Sequence, residues 1–163
     1  MKVQVRDGVF ETNSSSTHAF NVFNSTEKYE IPESIHIDLN EHSFGWECDT
    51  YYDICNKLAY LCILADDYAD ESKGQEQLEK LKALIYAAGV KDLEIIPAKE
   101  GNWNTYVDHG NNATYILDDM LENPDILYDF LFNPLSYIET GNDNDDYEVS
   151  YDPCATYAYY KGN

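Results

Sequence analysis

The alternation of apolar and polar residues along the chain predicts short strands near both ends and helices between them. Ile35, Ile37 and Leu39 occupy every second position, and this period of two indicates a half-buried strand. His36 lies among them on the opposite face and is therefore expected to face solvent. The strands predicted from this pattern cover residues 1–7, 19–23, 34–39, 93–96 and 135–140, with a closing hairpin of residues 147–151 and 156–160.

A spacing of three and four between apolar residues predicts the longest buried helix of the protein. Asp49 or Thr50 is expected to cap its start, and the pattern ends near Ala69. The stripe predicts that Cys55 lies on the core side as a small buried hydrophobic residue, whereas Lys57 lies on the opposite face. The residues of the stripe are Tyr51, Ile54, Cys55, Leu58, Leu61, Cys62, Ala65 and Tyr68.

Three further helices are predicted from apolar spacing and from the residues that begin and end helices. The second helix follows a connection at residues 66–74 and stops at Gly89, since glycine readily adopts the left-handed conformation that ends many helices. A short helix is expected at residues 114–122. The last helix covers residues 124–132, with proline at its first position, and ends before Pro134.

This order of elements predicts an α+β fold in which a mostly antiparallel sheet packs with one long amphipathic helix and shorter helices. No linker divides the chain, so residues 1–163 are expected to form one domain. The apolar fraction of 44% excludes wholesale disorder, and no apolar run is long enough to cross a bilayer. Charged residues interrupt residues 1–20, so the chain shows no secretory signal and is predicted to be cytoplasmic.

The strong negative charge of the chain limits the kinds of partner that it can bind. Ten basic residues stand against 31 acidic ones, a net charge of −21, which would repel nucleic acid and anionic membranes alike. No Lys or Arg lies between Lys99 and Lys161, whereas residues 100–160 hold 13 acidic residues and nine of the 15 tyrosines. Carboxylates interleaved with tyrosines suit a groove built for phosphates and stacked bases. The alternative is an acidic surface that serves solubility alone.

The acidic segment therefore predicts a surface that binds a basic protein. Its expected partner is a nucleic-acid-guided nuclease of the host, with no direct contact to nucleic acid or membrane. The residues predicted to form this surface are Asp143, Asp145, Asp146, Tyr147, Glu148 and Tyr151.

A polar cluster at residues 11–18 separates two apolar runs and supplies the first candidate for chemistry. Its hydroxyl and amide side chains could satisfy local backbone groups, hold a phosphate, orient a water, or fix the tautomer of His18. The alternative is a polar connection resembling a hairpin, with a histidine that faces solvent.

Other polar loops carry groups that bind metals. The four cysteines are expected to be free thiols or a metal ligand, since nothing indicates export. No CxxC, HExxH or paired-histidine spacing occurs, so any metal site must be assembled from distant loops. Glu47 and Asp143 could substitute within the predicted zinc site, and Asn13 and Ser15 could act as hydrogen-bond donors around it. The four predicted zinc ligands are His18, Cys48, Asp108 and His109.

The run RxGVFETNSSSTH at residues 6–18 resembles the opening of a group of largely uncharacterised proteins from phages and mobile elements of Gram-positive bacteria. Three later blocks fit the same resemblance, at residues 42–47, 106–110 and 129–144. The resemblance implies a phage context and no particular mechanism. It also implies that several of the polar residues meet in one place: His18, Glu47, Asp108, His109 and residues 142–144.

Three classes of function follow from these features. The first is a phage-encoded, anti-CRISPR-like inhibitor whose acidic face enters the nucleic-acid channel of a host defence nuclease, with any metal serving structure. The second is a metal-dependent hydrolase or nucleotide-processing enzyme built on the loops of His18 and of Asp108 and His109. The third is an interaction or structural protein without inhibitory activity. The charge distribution favours the first class, because a polyanionic face hinders any enzyme that acts on nucleic acids.

Overall fold

The computed structural model describes residues 16–142 and 149–162, and within them the α+β fold class is confirmed: helices pack on a mainly antiparallel sheet. The helices are α1 (Ile54–Asp66), α2 (Glu71–Ala88), α3 (Thr114–Glu122) and α4 (Pro124–Phe132). The strands are β1 (Ser16–Val22), β2 (Ser34–Asp38), β3 (Ser43–Phe44), β4 (Thr50–Tyr51), β5 (Asp92–Ile96), β6 (Tyr106–Val107), β7 (Tyr137–Asn142) and β8 (Tyr157–Lys161).

Strand β1 lies inside the main sheet, whose strand order is β4-β7-β1-β8. It pairs with β7 and β8, both antiparallel, so that His18 lies opposite Thr140 on one side and Lys161 on the other. All seven residues of β1 are buried, including the polar Ser16, Thr17 and His18. The alternative of a solvent-facing histidine is therefore wrong. The end of the polar cluster is the start of a central strand, whose buried polar groups need hydrogen-bond partners.

Helix α1 is the central helix: the predicted burial of Leu58 and Leu61 is confirmed, but the predicted solvent face of the helix is wrong. Every residue from Lys57 to Ala65 is buried, whereas Cys55 is exposed. The reason is that α1 contacts all three other helices as well as β2 and β6, and a helix enclosed on all sides has no solvent face for a stripe to define. The helix also starts later than predicted, because Asp53 is its cap: the Asp53 carboxylate accepts a hydrogen bond of 2.8 Å from the backbone N–H of Asn56.

The other helices agree more closely with the sequence patterns. Helices α3 and α4 have the predicted bounds, and α2 ends at Gly89, whose φ is 121°. The predicted connection at residues 66–74 is too long, because α2 starts at Glu71. Gly74 lies inside that helix, where a Cβ would clash with the carbonyl oxygen of Ala65 at the end of α1. No helix in residues 16–142 and 149–162 is both long and apolar enough to cross a membrane.

Two short pairs of strands are parallel: β2 with β5, and β3 with β6. His36 faces solvent in β2, as predicted. The strand predicted at residues 1–7 lies outside the described residues. Of the predicted closing hairpin, β8 is present and pairs with β1, and residues 149–151 form no strand, whereas residues 147–148 lie outside the described residues.

Candidate functional site

His18 is held by hydrogen bonds at both nitrogens of its ring. Nδ1 lies 2.6 Å from the hydroxyl of Tyr60 on α1, and Nε2 lies 2.7 Å from the carbonyl oxygen of Gly45 in the loop after β3. A carbonyl can only accept a hydrogen bond, so Nε2 carries a proton. In the neutral imidazole, Nδ1 then accepts from the Tyr60 hydroxyl. These two hydrogen bonds join the sheet, the central helix and a surface loop at the ring of His18.

The surroundings of His18 favour the same neutral state. The pKa of His18 is lowered from 6.5 to about 4, mainly by burial and next by the ammonium of Lys161, whereas the Gly45 carbonyl and the Asp108 carboxylate act in the opposite direction. The imidazole is completely buried. His18 is therefore an uncharged connector at neutral pH.

Lys161 and Ser16, which lie near the two ends of the described residues, contact each other next to His18. The Lys161 ammonium donates to the carbonyl oxygen of Ser16 at 3.1 Å and also contacts the Ser16 hydroxyl. Burial lowers the pKa of Lys161 to about 8, and the nearby Asp108 carboxylate opposes that shift. Ser16, His18, Tyr60, Asp108 and Lys161 are called the polar core below.

The loops after β3 and β6 lie side by side over the polar core. The parallel pairing of the two strands brings their ends together, and the backbone N–H of Asp108 donates to the carbonyl of Phe44 at 2.8 Å. The side-chain carboxylate of Glu47 accepts a hydrogen bond from the backbone N–H of Gly45 at 2.8 Å. The backbone carbonyl of Glu47 accepts a hydrogen bond from the hydroxyl of Thr140. His18, Glu47 and Asp108 thus lie in one region of the fold, as the resemblance implies for these three residues.

Two carboxylate oxygens in this part of the molecule are buried without a hydrogen-bond partner among the described residues. They belong to Asp108 and to Asp67, which follows the end of α1. The Asp67 carboxylate presses against Gly110, where any side chain would clash with it. The pKa of Asp67 is raised from 3.8 to about 6, mainly by burial and next by the neighbouring carboxylate of Asp66. Asp67 therefore gains a proton at a much higher pH than an exposed aspartate does.

Ser16 and Lys161 have the residue types of a nucleophile and a general base, but their environment does not permit that chemistry. Ser16 is 0% exposed and Lys161 is 1% exposed, so a substrate has no path to the serine hydroxyl in this structure. The contact instead fixes the start of β1 against the end of β8. In the polar core, hydrogen bonds to Ser16 stabilise the buried ammonium of Lys161.

The four predicted zinc ligands are near one another in the fold but do not converge on one point. His18 uses both ring nitrogens for hydrogen bonds, and Cys48 is exposed. His109 is half exposed, with its Nε2 at 3.9 Å from a carboxylate oxygen of Asp108. Its φ of 51° lies in the left-handed region. The described ranges contain no group of three or more His, Cys, Asp or Glu side chains that could hold a metal ion. The zinc site stays a prediction, and its substitute ligand Asp143 lies outside these ranges.

The predicted partner surface is described only in part. Five of its six residues lie outside the described residues: Asp143, Asp145, Asp146, Tyr147 and Glu148. The sixth, Tyr151, is 57% exposed. It lies beside residues that the sequence did not single out, since its ring meets that of Tyr160 with centroids 6.0 Å apart. The only signal for these neighbours was the number of tyrosines in the acidic segment.

The surface distribution of lysine is the feature that sequence reasoning missed. Lys57 and Lys161 are buried, and the Lys57 ammonium donates to the carbonyls of Asn133 and Ser136 at 3.2 and 3.1 Å. Four other lysines form ion pairs with carboxylates, and Lys28 and Lys99 are exposed. The four ion pairs are Lys73–Asp118, Lys80–Glu76, Lys82–Glu79 and Lys91–Glu33.

Comparisons of the chain with protein-family models, with curated proteins and with solved structures each found no match. The function must therefore be argued from the geometry and charge of the residues themselves.

Proposed function

We propose that this protein is an acidic inhibitor that binds the basic nucleic-acid channel of a host defence nuclease, in the manner of an anti-CRISPR protein. The observation that carries the proposal is the scarcity of unpaired positive charge on the surface of the described residues. Of the eight lysines in the described residues, two are buried and four are paired with carboxylates. The negative charge of the chain is thus left largely uncompensated on the outside.

The position of the remaining charges adds to this argument. Residues 100–160 contain no Lys or Arg, and Lys161, which ends this segment, directs its ammonium inward to Ser16. The acidic and tyrosine-rich part of the sequence therefore has no lysine or arginine on its surface. A surface of this kind repels phosphates and attracts a channel lined by lysine and arginine.

The geometry supports this binding function better than the hydrolase alternative. A hydrolase built on His18 needs that imidazole to take up a proton or to ligate a metal. Here both nitrogens are engaged, and burial lowers the pKa of His18 to about 4. His109 is exposed, but the described residues beside it offer only Asp108 as a partner for a metal.

The proposal can be tested with guide-loaded CRISPR effector nucleases and a pair of charge variants. In the first variant Asp143, Asp145, Asp146 and Glu148 are replaced by lysine. In the control variant four exposed acidic residues elsewhere are replaced by lysine, so that the net charge changes equally: Glu27, Glu30, Glu41 and Glu71.

We expect the wild type and the control variant to bind and inhibit a nuclease, more weakly as salt increases, because screening shortens the range of the attraction. The first variant should lose inhibition while it remains folded. If no nuclease is bound or inhibited, or if the first variant inhibits as well as the wild type, the proposal fails. Turnover of a nucleotide or ester substrate that disappears in Asp108→Asn would then favour the hydrolase.

A further inference from the structure

Three tyrosines from two parts of the chain form one surface on the helix side of the sheet, called the tyrosine face here. Tyr115 comes from α3, and Tyr157 and Tyr159 occupy alternate positions of β8 and therefore share one face of that strand. Tyr115 and Tyr157 are 49% and 46% exposed, which is unusual for such large rings. Exposed aromatic rings grouped in this way are typical of binding surfaces.

Hydrogen bonds and ring contacts hold the tyrosine face in place. The Tyr115 hydroxyl donates to the carbonyl of Tyr160 at 2.8 Å, and the Tyr159 hydroxyl donates to the carboxylate of Asp119 on α3. The ring of Tyr159 meets that of Phe20 edge to face, with 89° between their planes. Because the rings are held before binding, a partner loses less of its affinity to the ordering of side chains.

The electrostatic surroundings of the face decide which partner group it fits. The nearest basic residue in sequence, Lys161, points into the polar core, and Lys73, which contacts α3, is paired with Asp118. Asp119 contributes its carboxylate directly to the face, and Glu122 is exposed on the same helix. The face therefore combines π-systems with negative charge and without an exposed lysine or arginine from residues 100–161.

We propose that the tyrosine face binds arginine side chains of the basic partner, by stacking guanidinium groups on the rings of Tyr115 and Tyr157. This inference rests on the proposed function and names the chemistry of recognition. A planar guanidinium stacks on an aromatic ring and pairs with a carboxylate at the same time, whereas a lysine ammonium is a strongly hydrated point charge. Nucleic-acid bases also stack on tyrosine, but their phosphates are repelled by this surface.

Two peptides of equal length and charge separate this inference from the proposed function. One carries arginine and the other carries lysine at every cationic position, and a single-stranded oligothymidylate serves as the nucleic-acid probe. We expect the wild-type protein to bind the arginine peptide about threefold or more tightly than the lysine peptide, the gain typical of exposed cation–π contacts. The oligonucleotide should not bind.

The location of the effect is tested with matched tyrosine variants. Tyr115→Leu combined with Tyr157→Leu should abolish the preference for arginine but keep the affinity for the lysine peptide. Tyr52→Leu combined with Tyr86→Leu removes two tyrosines that are equally exposed, at 50% and 48%, outside the tyrosine face, and should keep the preference. Circular dichroism and thermal unfolding check that each variant is folded.

Each result bears on one of the two proposals. Equal affinity for the two peptides, or an unchanged preference in the Tyr115 and Tyr157 variant, would overturn the tyrosine face while the acidic inhibitor stands. Tight binding of the oligonucleotide would replace the arginine partner with single-stranded nucleic acid. If neither peptide binds, the protein does not recognise basic chains, and both proposals fail together.

Discussion

Tyr159 donates its phenolic hydrogen to the carboxylate of Asp119, and this bond joins the outer strand β8 to helix α3. Similar pairs join Tyr29 to Asp129 and Tyr68 to Asp118 over long distances in the sequence. The chain has about three acidic residues for each basic one, so lysines are too few to pair with every carboxylate. Tyrosine hydroxyls donate hydrogen bonds to some of these carboxylates instead. A hydrogen bond to a charged group contributes more than one between neutral groups.

We expect Tyr159→Phe to lower the free energy of unfolding by about 1–2 kcal/mol, because it removes one charge-assisted hydrogen bond and keeps the ring. Chemical denaturation measures this change. Tyr157→Phe is the matched control on the same strand, since its side chain is 46% exposed, and it should leave stability nearly unchanged. Equal stability of Tyr159→Phe and the wild type would show that the Asp119 contact contributes nothing.

Replacement of His18 by alanine should lower the free energy of unfolding by roughly 2–4 kcal/mol, because it leaves a cavity and removes the partners of Tyr60 and Gly45. His36→Ala, on the solvent face of β2, is the control and should cost far less. A hydrogen-bonding role predicts the same loss with and without a chelator. If EDTA lowers the melting temperature of the wild type but not of His18→Ala or His109→Ala, the predicted zinc site accounts for the effect instead.

The pH dependence of stability should reveal two opposing groups, His18 and Asp67. The pKa of His18 is lowered from 6.5 to about 4, so the unfolded chain binds its proton more readily between these values. The stability contributed by neutral His18 is complete above pH 6.5 and is lost as the pH falls toward 4. The pKa of Asp67 is raised from 3.8 to about 6, so its contribution changes in the opposite direction and decreases as the pH rises through that range.

Asp67→Asn should therefore make the unfolding free energy rise more steeply between pH 4 and 6.5 than it does in the wild type, by up to about 1.4 kcal/mol per pH unit for one proton. Urea denaturation at several pH values measures the slope. Asp125→Asn, at an exposed site on α4, is the control and should keep the wild-type slope. An unchanged slope in Asp67→Asn would contradict a raised pKa for this carboxyl.

Lys57→Ala should destabilise the protein by roughly 2–5 kcal/mol, as much as Leu58→Ala, because both side chains are fully buried. The lysine also supplies hydrogen bonds to the carbonyls of Asn133 and Ser136, where helix α4 has ended. Equilibrium denaturation measures both variants. Lys80→Ala, an exposed residue of an i,i+4 ion pair, should cost about 0.5 kcal/mol or less. A small effect at Lys57 would instead support the prediction from the apolar stripe that Lys57 lies on the solvent face of α1.

Gly74→Ala should destabilise the protein by about 1–3 kcal/mol, although alanine favours helices more than glycine does. The added methyl group would clash with the carbonyl oxygen of Ala65 and force α1 and α2 apart. Thermal unfolding compares this variant with Ser72→Ala, an exposed substitution in the same turn of α2. A stabilised Gly74→Ala would mean that the two helices separate without cost.

The sequence by itself determined the elements whose signals are local. Gly89 ends α2 because its backbone adopts a conformation that other residues avoid, and Pro124 begins α4 because its missing N–H is not needed there. The alternation around Ile35 and Ile37 placed β2 and oriented His36. The excess of acidic residues and tyrosines in residues 100–160 was also visible, but not the residues that present them.

Tertiary structure decided everything that depends on what covers a residue. The sequence pattern places Lys57 on the polar face of an amphipathic helix. Lys57 is nevertheless buried, because other helices enclose α1 and backbone carbonyls accept hydrogen bonds from its ammonium. The sequence places His18 in a polar loop. In the structure its strand pairs with β7 and β8, which buries the side chain, and Tyr60 and Gly45 form hydrogen bonds with the two ring nitrogens. Hydrophobic periodicity measures only the average environment along one element. A buried polar side chain becomes favourable through partners that are distant in the sequence, and no local pattern contains them.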